Sequence, residues 1–169
     1  RATRAALEAL GWQDTGPLTW TNELGEDVDT QCPQTLRRMV HESWRQLQWR
    51  KVAARRTDYQ GAELGVDEEL TSRRTRHMLR RKDYLNYGAM RCIHAGGTWP
   101  QDRLHRAGYA ATPICQRCKE APETTAHRLW ECPARAEERR QAGVDSLASE
   151  ACRAGFEPRC LWLNGIAPQ

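Results

Sequence analysis

Three thiols and one imidazole late in the chain, Cys115, Cys118, His127 and Cys132, are spaced C-x2-C-x8-H-x4-C. That number and kind of ligand closes a tetrahedral Zn²⁺ site and leaves no position for water, so the pattern predicts a structural centre and not a catalytic one. Cys-x-x-Cys lets one tight loop aim two sulfurs at a point. His127 and Cys132 are expected about one helical turn apart along one face. Thr124 or Thr125 can cap that short helix, Glu123 places a favourable charge at its start, and Pro133 suits the first position of the next one. Lys119 to Pro122 carries turn chemistry, which favours a knuckle over a continuous helix. Without a metal the thiols would be small buried apolar groups, but the spacing is that of metal motifs.

The chain has 169 residues, enough for one modest core or a helical part plus a small metal-stabilised annex. It is polar, yet seven Trp and four Tyr against a single Phe supply large apolar surfaces, so a thin core is expected and not disorder throughout. Net charge is only +4, but it is segregated. Glu8 to Asp29 holds six acids and no base; Gln34 to Arg56 holds seven bases against Glu42, and Arg73 to Arg91 seven against Asp83. Most of these bases are Arg, whose planar fork suits phosphate oxygens, although Arg-rich helices also serve as solvated faces. Seven cysteines and no charged-then-apolar leader argue against a secreted disulfide scaffold and for an intracellular protein of the nucleus or cytoplasm, with Cys32, Cys92, Cys152 and Cys160 as reduced thiols. No apolar run approaches the ~20 residues that span a bilayer. The chain starts at Arg1 with no initiator Met, and a segment of a longer protein is expected.

Three regions follow. Residues 1–33 are read as a short helix closed by Gly11 and then an acidic loop, with Trp12, Leu18, Trp20 and Leu24 pinning it to the body. Residues 34–94 form a basic helical region. Its first helix, Gln34 to about Arg56, shows Leu36, Met39, Val40, Trp44, Leu47 and Val52 at helical spacing, with Trp44 as a core anchor and Trp49 off the stripe as a stacking candidate. Tyr59 to Val66, with Gly61 and Gly65, reads as a hinge. A second long helix, from Asp67 or Glu68 to about His94, carries Arg73, Arg74, Arg76, Arg80, Arg81 and Lys82, with Leu70, His77, Met78, Leu85, Ala89 and Ile93 as its buried side. Residues 95–169 hold a turn at Ala95 to Pro100, a short helix from Gln101 to Ala107 ended by Gly108, the knuckle, and C-terminal helices after Pro133 and from Asp145 to Ala154. Trp130 is expected to pack the annex onto the helical body, and the apolar end Cys160 to Ile166 to return to the core. The fold class is therefore mainly α: two long basic amphipathic helices, a small zinc-stabilised knuckle and C-terminal helices.

The run Arg91-Cys-Ile-His-Ala-Gly-Gly-Thr-Trp-Pro-Gln-Asp-Arg-Leu-His-Arg-Ala-Gly108, then Cys115-x-x-Cys118, then Glu123-Thr-Thr-Ala-His-Arg-Leu-Trp-Glu-Cys-Pro133 resembles the reverse-transcriptase zinc-binding region of non-LTR retrotransposons. In that family a D-R-L-x-x-x-G segment leads into C-x-x-C and then E-T-x-x-H-L-x-x-x-C-P. Asp102, Arg103, Leu104 and Gly108 match the first part; Cys115, Cys118, Glu123, Thr124, His127, Cys132 and Pro133 match the rest. Arg128 departs from the usual apolar residue, a role that shifts to Leu129. The resemblance covers about a quarter of the chain. It implies a segment downstream of the polymerase proper in a retroelement polyprotein, with polymerase and in some cases ribonuclease H domains as neighbours.

Two functional classes are in view. The first is a non-catalytic nucleic-acid-binding segment, in which zinc fixes the knuckle and Arg helices hold the phosphates of template RNA or target DNA. Arg73, Arg74, Arg76, Arg80, Arg81 and Lys82 would form the basic track, and Arg117, Lys119 and Arg128 would touch phosphate from the knuckle. The second is a zinc-stabilised docking module for neighbouring polyprotein domains or a host protein, dependent on Trp99 or Trp130 with little salt effect. Catalysis is not expected. The paired aspartates after Tyr that polymerases use for Mg²⁺ are absent from the sequence, and Cys92 and His94, two apart on a helix, point away from one another.

Overall fold

The computed structural model describes residues 2–169. The chain folds as two units, residues up to Val52 and Ala53–Gln169, and each is taken by itself. These packing units cut across the three sequence segments 1–33, 34–94 and 95–169, which follow composition.

In the first unit helix α1, Ala2–Ala9, is followed by three short strands: β1, Gln13–Gly16; β2, Thr19–Thr21; and β3, Asp27–Asp29. They form an antiparallel meander in the order β1-β2-β3, with Trp20 opposite Val28 and Asp14 opposite Trp20. The acidic stretch expected to be a loop is thus a small sheet. Its polar residues alternate outward while Trp20 and Val28 point to one side and are buried. Asn22 builds the β2-β3 turn by accepting from the backbone N–H groups of Leu24 (3.0 Å) and Glu26 (2.8 Å). Trp12, 2% exposed, joins Leu7, Trp20, Val28 and Met39 in one apolar cluster. Its indole N–H is shared between Ser43 Oγ (2.9 Å) and the Glu23 carboxylate (3.0 Å), and Ser43 also donates to Glu23 (2.6 Å). The buried donor is therefore satisfied.

Helix α2, Pro33–Arg55, matches the first basic helix read from the sequence. It buries Met39 and Ser43. Trp44, expected as its core anchor, is instead 53% exposed; the wall of this core is supplied by Trp12 and Trp20 from the sheet region.

The second unit opens with two 3-10 turns, Thr57–Tyr59 and Ala62–Leu64. Far from hinging, this stretch is core: Tyr59, Ala62 and Val66 are buried. The C-terminal end locks onto it. Cys160 N–H donates to Gln60 O (3.0 Å), Asp67 N–H to Ala167 O (2.9 Å), and Asn164 Nδ2 to Asp58 O (2.8 Å). Gly61 sits at φ +102°, and a Cβ there would meet Pro158 Cβ at 2.6 Å and Cys160 Sγ at 3.1 Å, so only glycine fits. The apolar end, with Cys160 and Ile166 fully buried, returns to the core as the sequence suggests.

The second basic stretch is two helices, α3 (Glu68–Arg80) and α4 (Tyr84–His94), which pack on each other. Lys82 adopts φ +59°, its N–H donates to Leu79 O (3.0 Å) and Asp83 N–H to Met78 O (3.0 Å), the left-handed cap that ends a helix. Asp83 then caps α4 by accepting from Asn86 N–H (3.3 Å). The break also re-aims the side chains. Leu70 and Leu85, expected on a buried side, are exposed, Leu85 by 84%, and His77 is exposed too, whereas Thr75 is the residue α3 buries. Beyond a turn lie α5 (Gln101–Arg106), the knuckle, α6 (Ala136–Gln141), α7 (Asp145–Arg153) and α8 (Arg159–Asn164). The chain is mainly α. Among the described residues no helix is long and apolar enough to cross a membrane.

Candidate metal centre

The first half of the knuckle is a tight ribbon. Cys115 N–H donates to Ala121 O (2.8 Å), Glu123 N–H to Pro113 O (2.8 Å), and Ile114 bridges Pro122. Between them Lys119, at φ +62°, turns the chain and gives its N–H to Cys115 O (2.9 Å). This carries Cys115 and Cys118 to the same side.

The second half solves a geometric problem. Five residues along an α-helix rotate by about 500°, which would leave His127 and Cys132 about 140° apart. His127–Glu131 instead forms a π-helical turn, closed by Cys132 N–H donating to His127 O (2.8 Å). The wider turn brings the two side chains together, which a plain helix would not. Thr124 starts it, its Oγ1 accepting from His127 N–H (3.0 Å), and Pro133 follows Cys132 at the first position of a 3-10 turn.

The four ligand atoms lie within 4.8 Å of one another. Cys115 Sγ is 3.9 Å from Cys132 Sγ, and Cys118 Sγ is 3.3 Å from His127 Nε2. Sulfurs at about 2.3 Å and an imidazole nitrogen at about 2.0 Å from one ion in tetrahedral geometry would be roughly 3.5–3.8 Å apart, so the set fits a shared ion. Cys115, Cys132 and His127 are buried and Cys118 is half-buried. Burial alone would push the Cys115 thiol up; N–H groups of Cys118 and Arg117, with His127, outweigh it and bring it down to about 7. Cys132 is raised by its burial. A site with one thiol poised toward thiolate and its neighbours desolvated can hold a metal ion.

Around the ligands Arg139 donates to Cys132 O (3.1 Å), fixing the carbonyl of a ligand residue from α6, a contact the sequence does not announce because six residues of polar helix separate the two. Trp130 Nε1 donates to Trp162 O (2.7 Å), and the two indoles meet edge to face at 5.9 Å. The knuckle is thereby tied to α8, which gives the expected packing role of Trp130 a specific partner. Asp102 N–H donates to Glu123 O (3.2 Å), and Arg103 donates to Gly96 O (2.7 Å) and Thr98 O (3.2 Å) while covering Trp99 at 4.5 Å. The Asp102-Arg103-Leu104 segment thus braces both the knuckle and the turn before it.

The basic candidates separate into two groups. Arg76 pairs with Glu69 (2.7 Å), Arg117 with Glu138, and Arg128 lies 3.7 Å from Glu123. Arg73, Arg74, Arg80, Arg81 and Lys82 are exposed and make no ion pair among the described residues. Lys119 is exposed on the knuckle turn. At about 100° per residue, Arg73, Arg74, Arg76, Arg80 and Arg81 cover an arc of about 160° on α3 and its end, opposite buried Thr75.

No protein-family model, curated protein or solved structure matches this chain.

Proposed function

We propose that this chain is a non-catalytic, zinc-binding and nucleic-acid-binding segment of a retrotransposon-type reverse-transcriptase polyprotein. The motif resemblance from Asp102 to Pro133 supports the family reading, and the converging Cys115, Cys118, His127 and Cys132 support the metal. Three thiolates and an imidazole in a closed tetrahedral set select Zn²⁺ over hard oxygen-seeking cations. Once bound, the ion supplies shape: it holds the ribbon and the π turn against each other. The residues themselves would do the gripping.

The observation that carries the nucleic-acid reading is the set of exposed, unpaired bases on α3 and its end: Arg73, Arg74, Arg80, Arg81 and Lys82. Free guanidinium groups on one face offer themselves to phosphates without first breaking an internal pair. Template RNA or target DNA would be held by backbone contacts, independent of sequence. Arg76 and Arg117 hold exposed, weak pairs that a phosphate can displace at small cost, whereas Arg128 faces the buried Glu123 and contributes less than the sequence alone implies.

A docking module is the second reading, favoured by Leu79, Tyr84 and Leu85, large apolar side chains exposed at the α3-α4 corner. A mobility-shift titration of RNA and DNA oligonucleotides across a salt series separates the two. Nucleic-acid binding predicts a shift near 50 mM salt that weakens steeply by 200 mM, and about a tenfold loss on R80A/R81A with zinc retained. No shift at 50 mM salt leaves the docking reading.

A further inference from the structure

Arginines from three separate stretches of the second unit converge on a single cavity of about 720 Å³. Arg55, Arg56, Arg103, Arg106 and Arg159 line it, against only two acids, Asp58 and Asp102. The wall also holds Trp99 and Phe156, and Thr124 to Ala126 of the knuckle form part of it.

The five guanidinium groups divide by what they already do. Arg56 is committed to the fold: it pairs with Asp58 (2.6 Å), donates to Ala95 O and Gly96 O (3.1 Å each), and lies 4.6 Å from the centre of the Tyr59 ring. Arg103 is committed to the carbonyls of Gly96 and Thr98. Arg55 makes no ion pair among the described residues. Arg106 and Arg159 hold only local, solvent-exposed pairs, to Asp102 (2.8 Å) and Glu157 (3.1 Å). Exposed pairs of this kind are weak and are readily exchanged for a stronger anion. Three arginines are thus available in a concave site, where the surrounding walls focus their positive potential.

An inorganic anion alone would leave the aromatic wall idle. Trp99 is 44% exposed, held from one side by Arg103 and edge-on to Tyr109 at 6.3 Å, so its ring is fixed in orientation yet accessible. A fixed, accessible indole beside available guanidinium groups is the combination that binds single strands, which offer both a phosphate and an unstacked base. The volume is that of sites that enclose small organic ligands.

Building on the nucleic-acid reading above, we infer that this cavity takes one nucleotide of a single-stranded nucleic acid, its phosphate among Arg55, Arg106 and Arg159 and its base against Trp99. The α3 track and this cavity are distinct sites on the same unit. Because Thr124 to Ala126 belong to its wall, loss of the metal centre would also deform the cavity.

The test uses fluorescence anisotropy of a labelled ten-nucleotide single strand on the full chain at 100 mM salt, with R106A/R159A, W99L and R80A/R81A. Zinc content and helical circular dichroism serve as fold controls. The expected result is about tenfold weaker binding for R106A/R159A, with a salt slope shallower by at most ~0.7, the value for the one phosphate that is no longer neutralised. W99L should weaken binding several-fold with the slope unchanged, and a mononucleotide should compete better than inorganic phosphate. R106A/R159A and W99L binding like the wild type, while R80A/R81A is impaired, overturns the cavity and leaves the nucleic-acid reading intact. A wild-type chain that binds no oligonucleotide overturns both, and competition by inorganic phosphate as effective as by a mononucleotide overturns the base-binding half.

Discussion

His94 shows how a single side chain can set a condition on the fold. Its Nε2 is buried without a hydrogen-bond partner among the described residues, its carbonyl accepts from Tyr59 Oη (2.7 Å), and burial, followed by the charge of Arg91, pushes its pKa below the usual 6.5. The folded chain therefore prefers the neutral ring. That preference contributes fully above pH 6.5, the unfolded value, and is lost as pH falls through the lower folded value. Melting temperature should fall between pH 7.5 and 5.5, and part of that slope should disappear in His94→Gln. An identical slope in the variant would assign the whole effect to other groups, such as the thiolates and His127. The four metal ligands were legible as residues because they lie within 18 positions of one another and their identity restricts their chemistry. The cavity arginines were not, since nothing local links Arg55 to Arg106 or Arg159; only the C-terminal return of the chain brings them to one wall.

Among the elements, helices with a clear apolar period were readable and their interruptions were not. α2 runs over the span its period predicts, although of its apolar stripe only Met39 is buried and Trp44 is exposed. The break after α3 is carried by Lys82, a residue type with no preference for left-handed backbone, and the one local signal, Asp83 three residues before Asn86, is hidden in a run of bases. Non-glycine residues in that conformation cost about 1–2 kcal/mol. Lys82→Gly should therefore stabilise the unit by about 1 kcal/mol, read as a higher urea midpoint with unchanged slope. A lower midpoint would show that α3 and α4 do not part at Lys82. The strands escaped notice for another reason: three or four residues are too few for alternation to stand out, and their outward positions are polar. The π turn is a similar case, because the x4 spacing between His127 and Cys132 suits a helix only when the helix widens.

For the molecule as a whole, the two units are built on different principles. The first closes an aromatic cluster around Trp12, and the second relies on the C-terminal segment locking onto residues 57–67 and on a ligand cluster tied to α8 through Trp130. Few large side chains in the second unit are fully buried, so an ion that joins two backbone segments there is worth more than its size suggests; structural zinc in small modules contributes ~10–16 kcal/mol of apparent binding free energy that is also folding free energy. The α3 track and the cavity wall both depend on that unit holding its shape. Zinc per chain, measured by elemental analysis on the purified protein and on Cys118→Ser, is decisive. One equivalent in the wild type and a value near zero in the variant is the expected result. No zinc in the wild type, or one equivalent retained after the substitution, would contradict the ligand set on which the structure of the knuckle is explained.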